Sequence, residues 1–280
     1  MSIPFFNNVK TAMLLASLFA LLVGVGQLLG GMQGMIIAGI FAIVMNFGAW
    51  FASDKIAITA MRGQQVDERS GPELIAMVKR LADRAGLPMP RVYVCPQEAP
   101  NAFATGRNPK HAAVAVTQGA LRLLDRDELE GVMAHELAHV KNRDTLTSTI
   151  AATVAGVFSM LASPFMMMGM GGRRDGANPF VMIGAVLLAA LGAAVIKAMI
   201  SRSREFVADA DGAKIAGSSR GLMSALSKLD TYAKRIPMKT ANPAMNNLFI
   251  VEPFVGKVLT NMFASHPPTA DRLEALRSLP

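Results

Sequence analysis

The chain has 280 residues, 52% of them apolar and 17% charged, with a net charge of +8 and one cysteine. The charges are unevenly spread: positions 11–53, 145–172 and 176–196 contain no Asp, Glu, Lys or Arg, and the rest has the charge density of ordinary soluble protein. That split excludes a wholly soluble globule and a disordered chain, and Cys95, having no second cysteine, excludes a disulfide scaffold.

A helix that crosses a bilayer needs roughly 20 mostly apolar residues. Positions 11–53 are long enough for two, near 14–29 and 35–51, with Gly30-Gly31-Met32-Gln33-Gly34 as the turn between them. A cleaved signal peptide has a shorter apolar core, and here a second apolar span follows at once. Two more spans are expected from 145 to about 168 and from 180 to about 200, on either side of Gly171-Gly172-Arg173-Arg174-Asp175-Gly176. The alternative for that second pair is a buried hairpin of soluble helices, since Ser163-Pro164 and a run of methionines make the third segment irregular. Lys10, Lys55, Arg62, Lys141, Arg143, Lys197, Arg202 and Arg204 flank the spans. By the preference of such residues for the cytoplasm, both termini and both polar regions are expected there. Arg173 and Arg174 are the contrary signal, diluted by Asp175. The net charge then reads as contact with anionic headgroups of a lipid bilayer. No nucleic acid partner is expected, because only 6% of the residues are aromatic and none cluster with basic ones.

The resulting organisation is 1–53, two spans; 54–144, a first polar part; 145–200, two spans; and 201–280, a second polar part. In the first polar part a helix is expected over 72–85, closed by Gly86 with Pro88 beyond it. Three short β-like runs follow at 91–94, 101–105 and 112–117, separated by turn-rich segments, and imply a small sheet. Asp125 and Glu128 have capping-box spacing, so a helix should start near Arg126 and run to about Arg143. In the second polar part helices are expected over 202–215, 221–234 and 269–279, with 236–253 unassigned. The fold class is α+β and mainly helical.

Two of the four histidines fall in His135-Glu136-Leu137-Ala138-His139. Residues four apart on a helix stand one turn above each other, so both imidazoles can reach one metal ion. Leu129, Met133, Leu137 and Val140 form a separate stripe, which leaves the ligand face free while the other side packs. Glu136, beside the first ligand, is placed to take a proton from water at the metal. Catalytic zinc usually has three protein ligands and an open position. Cys95, His111, His266 or a carboxylate are the choices for the third. Glu205 is the best of them, because Asp209 one turn on would suit a carboxylate holding a ligand histidine by its other ring nitrogen. On spacing alone, two solvated acids beside Arg202 and Arg204 are an equal reading.

The strings Asn101-Ala102-Phe103-Ala104, His135 to His139, Arg204-Glu205-Phe206-Val207-Ala208-Asp209 and Ser265-His266-Pro267-Pro268-Thr269, with this order of spans, resemble the HtpX family of membrane zinc endopeptidases, gluzincins related to CAAX prenyl-protein endopeptidases. The resemblance implies a zincin-like protease domain facing the cytoplasm of a bacterial inner membrane. It implies one Zn2+ per chain held by His135, His139 and Glu205, with Asp209 behind them. It gives Glu136 the role of activating water and His266 that of stabilising the oxyanion. By residue pattern alone, His266 is a loop residue before a helix. Asn101, Ala102, Phe103 and Ala104 match the family's strand beside the groove; its edge could hold an extended peptide, or it is ordinary sheet. Damaged membrane proteins are the implied substrates, under stress. A membrane zinc transporter would need ionisable groups inside the bilayer, and the uncharged stretches lack His, Asp and Glu. An intramembrane protease would not have so charged a motif helix, and a non-catalytic scaffold would have no use for Glu136.

Overall fold

The structure is a computed structural model that describes residues 3–147, 202–235 and 267–279. The expected third and fourth spans, the unassigned 236–253 and His266 lie outside the described residues.

Helix α1 (Ile3–Phe51) is broken at Gly30 and Gly31, where the expected turn falls; Gly31 has φ +56°, a conformation open to glycine at little cost. The two arms fold back on each other so closely that a Cβ on Gly26 would lie 2.4 Å from the Gly34 carbonyl oxygen. The second arm exposes Ile36, Ile37, Ile40, Ile43, Val44 and Phe47. Counted on described residues alone, no helix is long and apolar enough to cross a membrane.

The β-like runs build a two-faced sheet. Strands β1 (Gln64–Val66), β2 (Arg91–Cys95), β3 (Ala102–Thr105) and β4 (Ala113–Thr117) lie in the order β1-β2-β4-β3. β2 and β4 are parallel, with Arg91 opposite Ala113 and Cys95 opposite Thr117; β1 and β3 are antiparallel edges. Successive side chains point to opposite faces. Val92, Ala102, Ala104, Val114 and Val116 therefore enter the main core, while Cys95, Phe103, Ala113 and Ala115 meet Ala57, Ile58 and Met61 at α2 (Ser53–Ala60). The strand missing from the sequence reading is β1.

Helix α3 (Pro72–Ala85) covers the main-core face with Leu74, Met77, Val78, Leu81 and Ala85, and ends at Gly86 in the left-handed conformation. A short α4 (Gln118–Leu123), capped by the Thr117 hydroxyl, leads to α5 (Arg126–Asn142). The capping box at the start of α5 is complete: Asp125 accepts from the Glu128 amide and Glu128 from the Asp125 amide. The buried Glu128 carboxylate also accepts from Ser224 and Lys228 of α7 (Arg220–Arg235).

The expected free face on α5 is corrected by the structure. Leu129, Val132, Met133, Ala134, His135, Glu136, Leu137, Ala138 and Val140 are all buried, so the middle of the helix, 131–138, is enclosed on every side. The reason is close crossing by α6 (Arg202–Ala216) and α7, at glycine. A Cβ on Gly131 would sit 2.4 Å from the Leu222 nitrogen, and one on Gly212 would sit 2.9 Å from the His135 Cα. Helix α8 (Thr269–Arg277) closes the second polar part after Pro268.

Candidate metal centre

One turn of α5 separates His135 from His139 and sets their rings nearly perpendicular, with centroids 4.7 Å apart. The crossing at Gly212 brings the first turn of α6 over them, and with it Glu205. The two Nε2 atoms are 3.2 Å apart; Glu205 Oε2 is 3.6 Å from that of His135, and Oε1 is 3.6 Å from that of His139. A tetrahedral ion with bonds of about 2.0–2.1 Å holds neighbouring donors roughly 3.3 Å apart. The triangle has that size, and it is the cluster of metal-type donors found among the described residues.

The other ring nitrogens face carboxylates. His135 Nδ1 lies 3.0 Å from Asp209 Oδ1, a close contact poorly aligned for a hydrogen bond, and His139 Nδ1 lies 3.2 Å from Asp144 Oδ2. Each Nδ1 is thereby favoured as the protonated nitrogen, which turns both Nε2 lone pairs toward the Glu205 carboxylate. Three electron-rich groups this close repel unless a cation lies among them. Protonation expresses the same field. Burial disfavours the charged His135 ring, but Asp209 and Glu205 outweigh it and lift its pKa to about 9. His139 also moves up against its burial, through Glu205 and Asp144. Two imidazoles and a carboxylate form a donor set suited to zinc.

A model of peptidase family M48 matches residues 68–279. The chain belongs to that family. It is 51% identical to a protease HtpX homolog of Desulforapulum autotrophicum, over 97% of this chain and 89% of the relative. It is 50% identical to one of Nostoc punctiforme, over 98% and 96%. The crystal structure of S. mikatae Ste24p superposes with a TM-score of 0.53 at 20% identity, over 97% of this chain and 64% of that one. That likeness concerns the fold, and the chain spans just under two thirds of that protein's length. This M48 chain is accordingly a metalloprotease, of a zinc-dependent family.

Among the residues singled out from the sequence, His135, His139 and Glu205 converge, with Asp209 behind His135. Glu136 is buried on α5, and its charge helps hold the proton of Arg272. Asn101 to Ala104 run into edge strand β3, packed beside α5. Cys95 is buried on the opposite face of the sheet and His111 is exposed beside Asn108, so neither belongs to the cluster. Local spacing did not reveal the other residues behind the cluster. Arg272, buried on α8, donates through Nε and Nη2 to both Asp209 oxygens at 2.8 and 2.6 Å and lies 3.9 Å from Glu205. Burial raises the Asp209 pKa less than Arg272 and His135 lower it, so its carboxyl stays ionised. Asp144 and Arg204 complete the set, 3.5 Å apart.

Proposed function

We propose that this M48 protease is a membrane-anchored endopeptidase of a bacterial inner membrane, one that cleaves misfolded or damaged membrane proteins from the cytoplasmic side as part of stress-related quality control. The observation that carries the reading is the convergence of His135, His139 and Glu205 on a helix crossing, with Glu136 beside them.

In this reading His135 and His139 offer their Nε2 lone pairs and Glu205 its carboxylate to one Zn2+ per chain. The ion, when bound, acts as a Lewis acid that makes water acidic and polarises a carbonyl. Glu136 accepts the proton of the attacking water and passes it to the departing amine. Arg272 and Asp209 keep His135 oriented. The edge of β3 away from β4, which no strand covers among the described residues, pairs with an extended peptide by backbone hydrogen bonds, which tolerates many sequences. His266 stabilises the negative charge that develops on the scissile carbonyl oxygen.

Membrane anchoring rests on the uncharged stretches and on the apolar side chains that α1 exposes, among them Ile36, Ile37, Ile40, Ile43, Val44 and Phe47. The four spans and the cytoplasmic placement of both polar parts follow the sequence reading. His139 lies six residues before Thr145, where the third apolar stretch begins, so in this reading the site is near the membrane surface, within reach of the loops and termini of embedded proteins. The test is detergent-purified protein given unfolded casein with and without a chelator, beside a proteomic comparison of membranes holding active or Glu136→Gln enzyme. Chelator-sensitive casein cleavage is expected, with membrane proteins accumulating in the Glu136→Gln membranes. Chelator-resistant cleavage, or accumulation limited to soluble proteins, contradicts the proposal.

A further inference from the structure

Each ligand histidine is backed by a carboxylate and each carboxylate by an arginine, but the two sets sit differently in the chain. Asp209 and Arg272 belong to α6 and α8. Asp144 lies two residues past the end of α5, next to Thr145, where the third apolar stretch begins. Arg204 lies in the first turn of α6, just past the fourth. The 3.5 Å pair between them therefore joins the two parts of the described chain that flank positions 148–201, and the other Asp144 oxygen faces His139 Nδ1 at 3.2 Å. Thr145 is tied too, its hydroxyl donating at 3.0 Å to the carbonyl of Gly106, next to the end of β3. Asp144 is 4% and Arg204 11% exposed at the side chain, so this pair is shielded from water.

We propose that Asp144 and Arg204 are positioning residues whose contact clamps the end of α5 to the start of α6 and thereby aims His139 at the metal. Neither touches the metal donors' shared centre. Asp144 fixes the His139 ring, Arg204 fixes Asp144, and the geometry of one ligand depends on the contact between these two residues. The inference rests on the ligand set proposed above.

Zinc affinity in a competition with a chromophoric chelator, and the visible spectrum of the cobalt-substituted protein, read ligand geometry without relying on cleavage. Losing a carboxylate behind a ligand histidine typically weakens metal binding 10- to 100-fold, so Asp144→Asn is expected in that range. Arg204→Gln should weaken zinc severalfold and shift the cobalt spectrum, while Arg204→Lys restores most of both. The double variant should bind zinc no more weakly than Asp144→Asn alone, since the two act in series. The exposed Lys141→Gln serves as control, and the cooperative melting of each metal-free sample shows that it is folded. Should Asp144→Asn fail to melt cooperatively, the Arg204 pair of variants decides. Unchanged affinity and spectrum in Arg204→Gln, or losses that multiply in the double variant, overturn the proposal. Glu205→Ala separates this from the ligand assignment: if it keeps zinc, the ligand set is wrong; if it loses zinc while Asp144→Asn and Arg204→Gln keep it, only the clamp fails.

Discussion

The two histidines of the candidate metal centre differ more in what stands behind them than in what they face. His135, Asp209 and Arg272 are each about 1% exposed, and the arginine grips both carboxylate oxygens. The His139 side is looser: its side chain is 14% exposed, Asp144 approaches through one oxygen, and Arg204 stands 3.5 Å off. The His135 side is a closed charge network inside the protein core. The His139 side lies at Asp144 and Arg204, where the described core meets positions 148–201. A site built this way has one fixed ligand and one whose aim depends on the chain leaving the domain.

The largest expected effect that sharpens this contrast is on stability. Arg272→Gln removes the guanidinium that donates to both oxygens of the buried Asp209, and breaking a buried pair costs about 3–5 kcal/mol. Arg204→Gln should cost clearly less, because Arg204 approaches Asp144 through one nitrogen at 3.5 Å, without the paired hydrogen bonds of Arg272. Urea unfolding of the two metal-free variants measures both, and equal losses would erase the distinction.

A smaller effect tests the tightness of the His135 side. Gly212→Ala puts a methyl group 2.9 Å from the His135 Cα, and overpacking of this kind costs about 1–3 kcal/mol. Zinc affinity should fall with the melting temperature although no polar group changes. Full retention of both would mean that α5 and α6 have room to part.

The smallest effect is in the pH dependence of the metal-free protein. His135 has a folded pKa of about 9 and His139 a raised one, above the unfolded value near 6.5. The stabilisation from their protonated forms is complete below pH of roughly 6.5 and is lost as pH rises through about 9. Metal-free protein should therefore melt lower at high pH, while zinc, which competes with those protons, binds more tightly there. A metal-free melting temperature that stays flat across that range contradicts the carboxylate field drawn around His135.

The sequence disclosed what local chemistry encodes. The turn at Gly30 and Gly31, the Gly86 stop of α3 and the capping box of α5 each depend on residues a few positions apart, and each is present. The same holds for His135 and His139, and for Glu205 and Asp209, one turn apart on their helices. β1 escaped because three residues with little burial carry no alternation to read. Arg272 falls within the expected 269–279 helix, but its partner Asp209 lies 63 positions away, a pairing that only the packing of α6 on α8 creates. The enclosure of α5 escaped for a related reason: a stripe of apolar residues marks one packed side, whereas Gly131, Gly212 and Gly221 let other helices cover the rest and add no hydrophobic signal.

The account assigns the two glutamates different work, and metal content measured beside cleavage rate on the same purified samples tests that most directly. Glu136→Gln keeps both imidazoles and Glu205, so it should hold near one zinc per chain while casein cleavage falls by roughly 100-fold to 10,000-fold, the usual cost of removing a general base. Glu205→Ala leaves two imidazoles and should lose both zinc and cleavage. Zinc lost from Glu136→Gln, or fully kept by Glu205→Ala, would contradict the account.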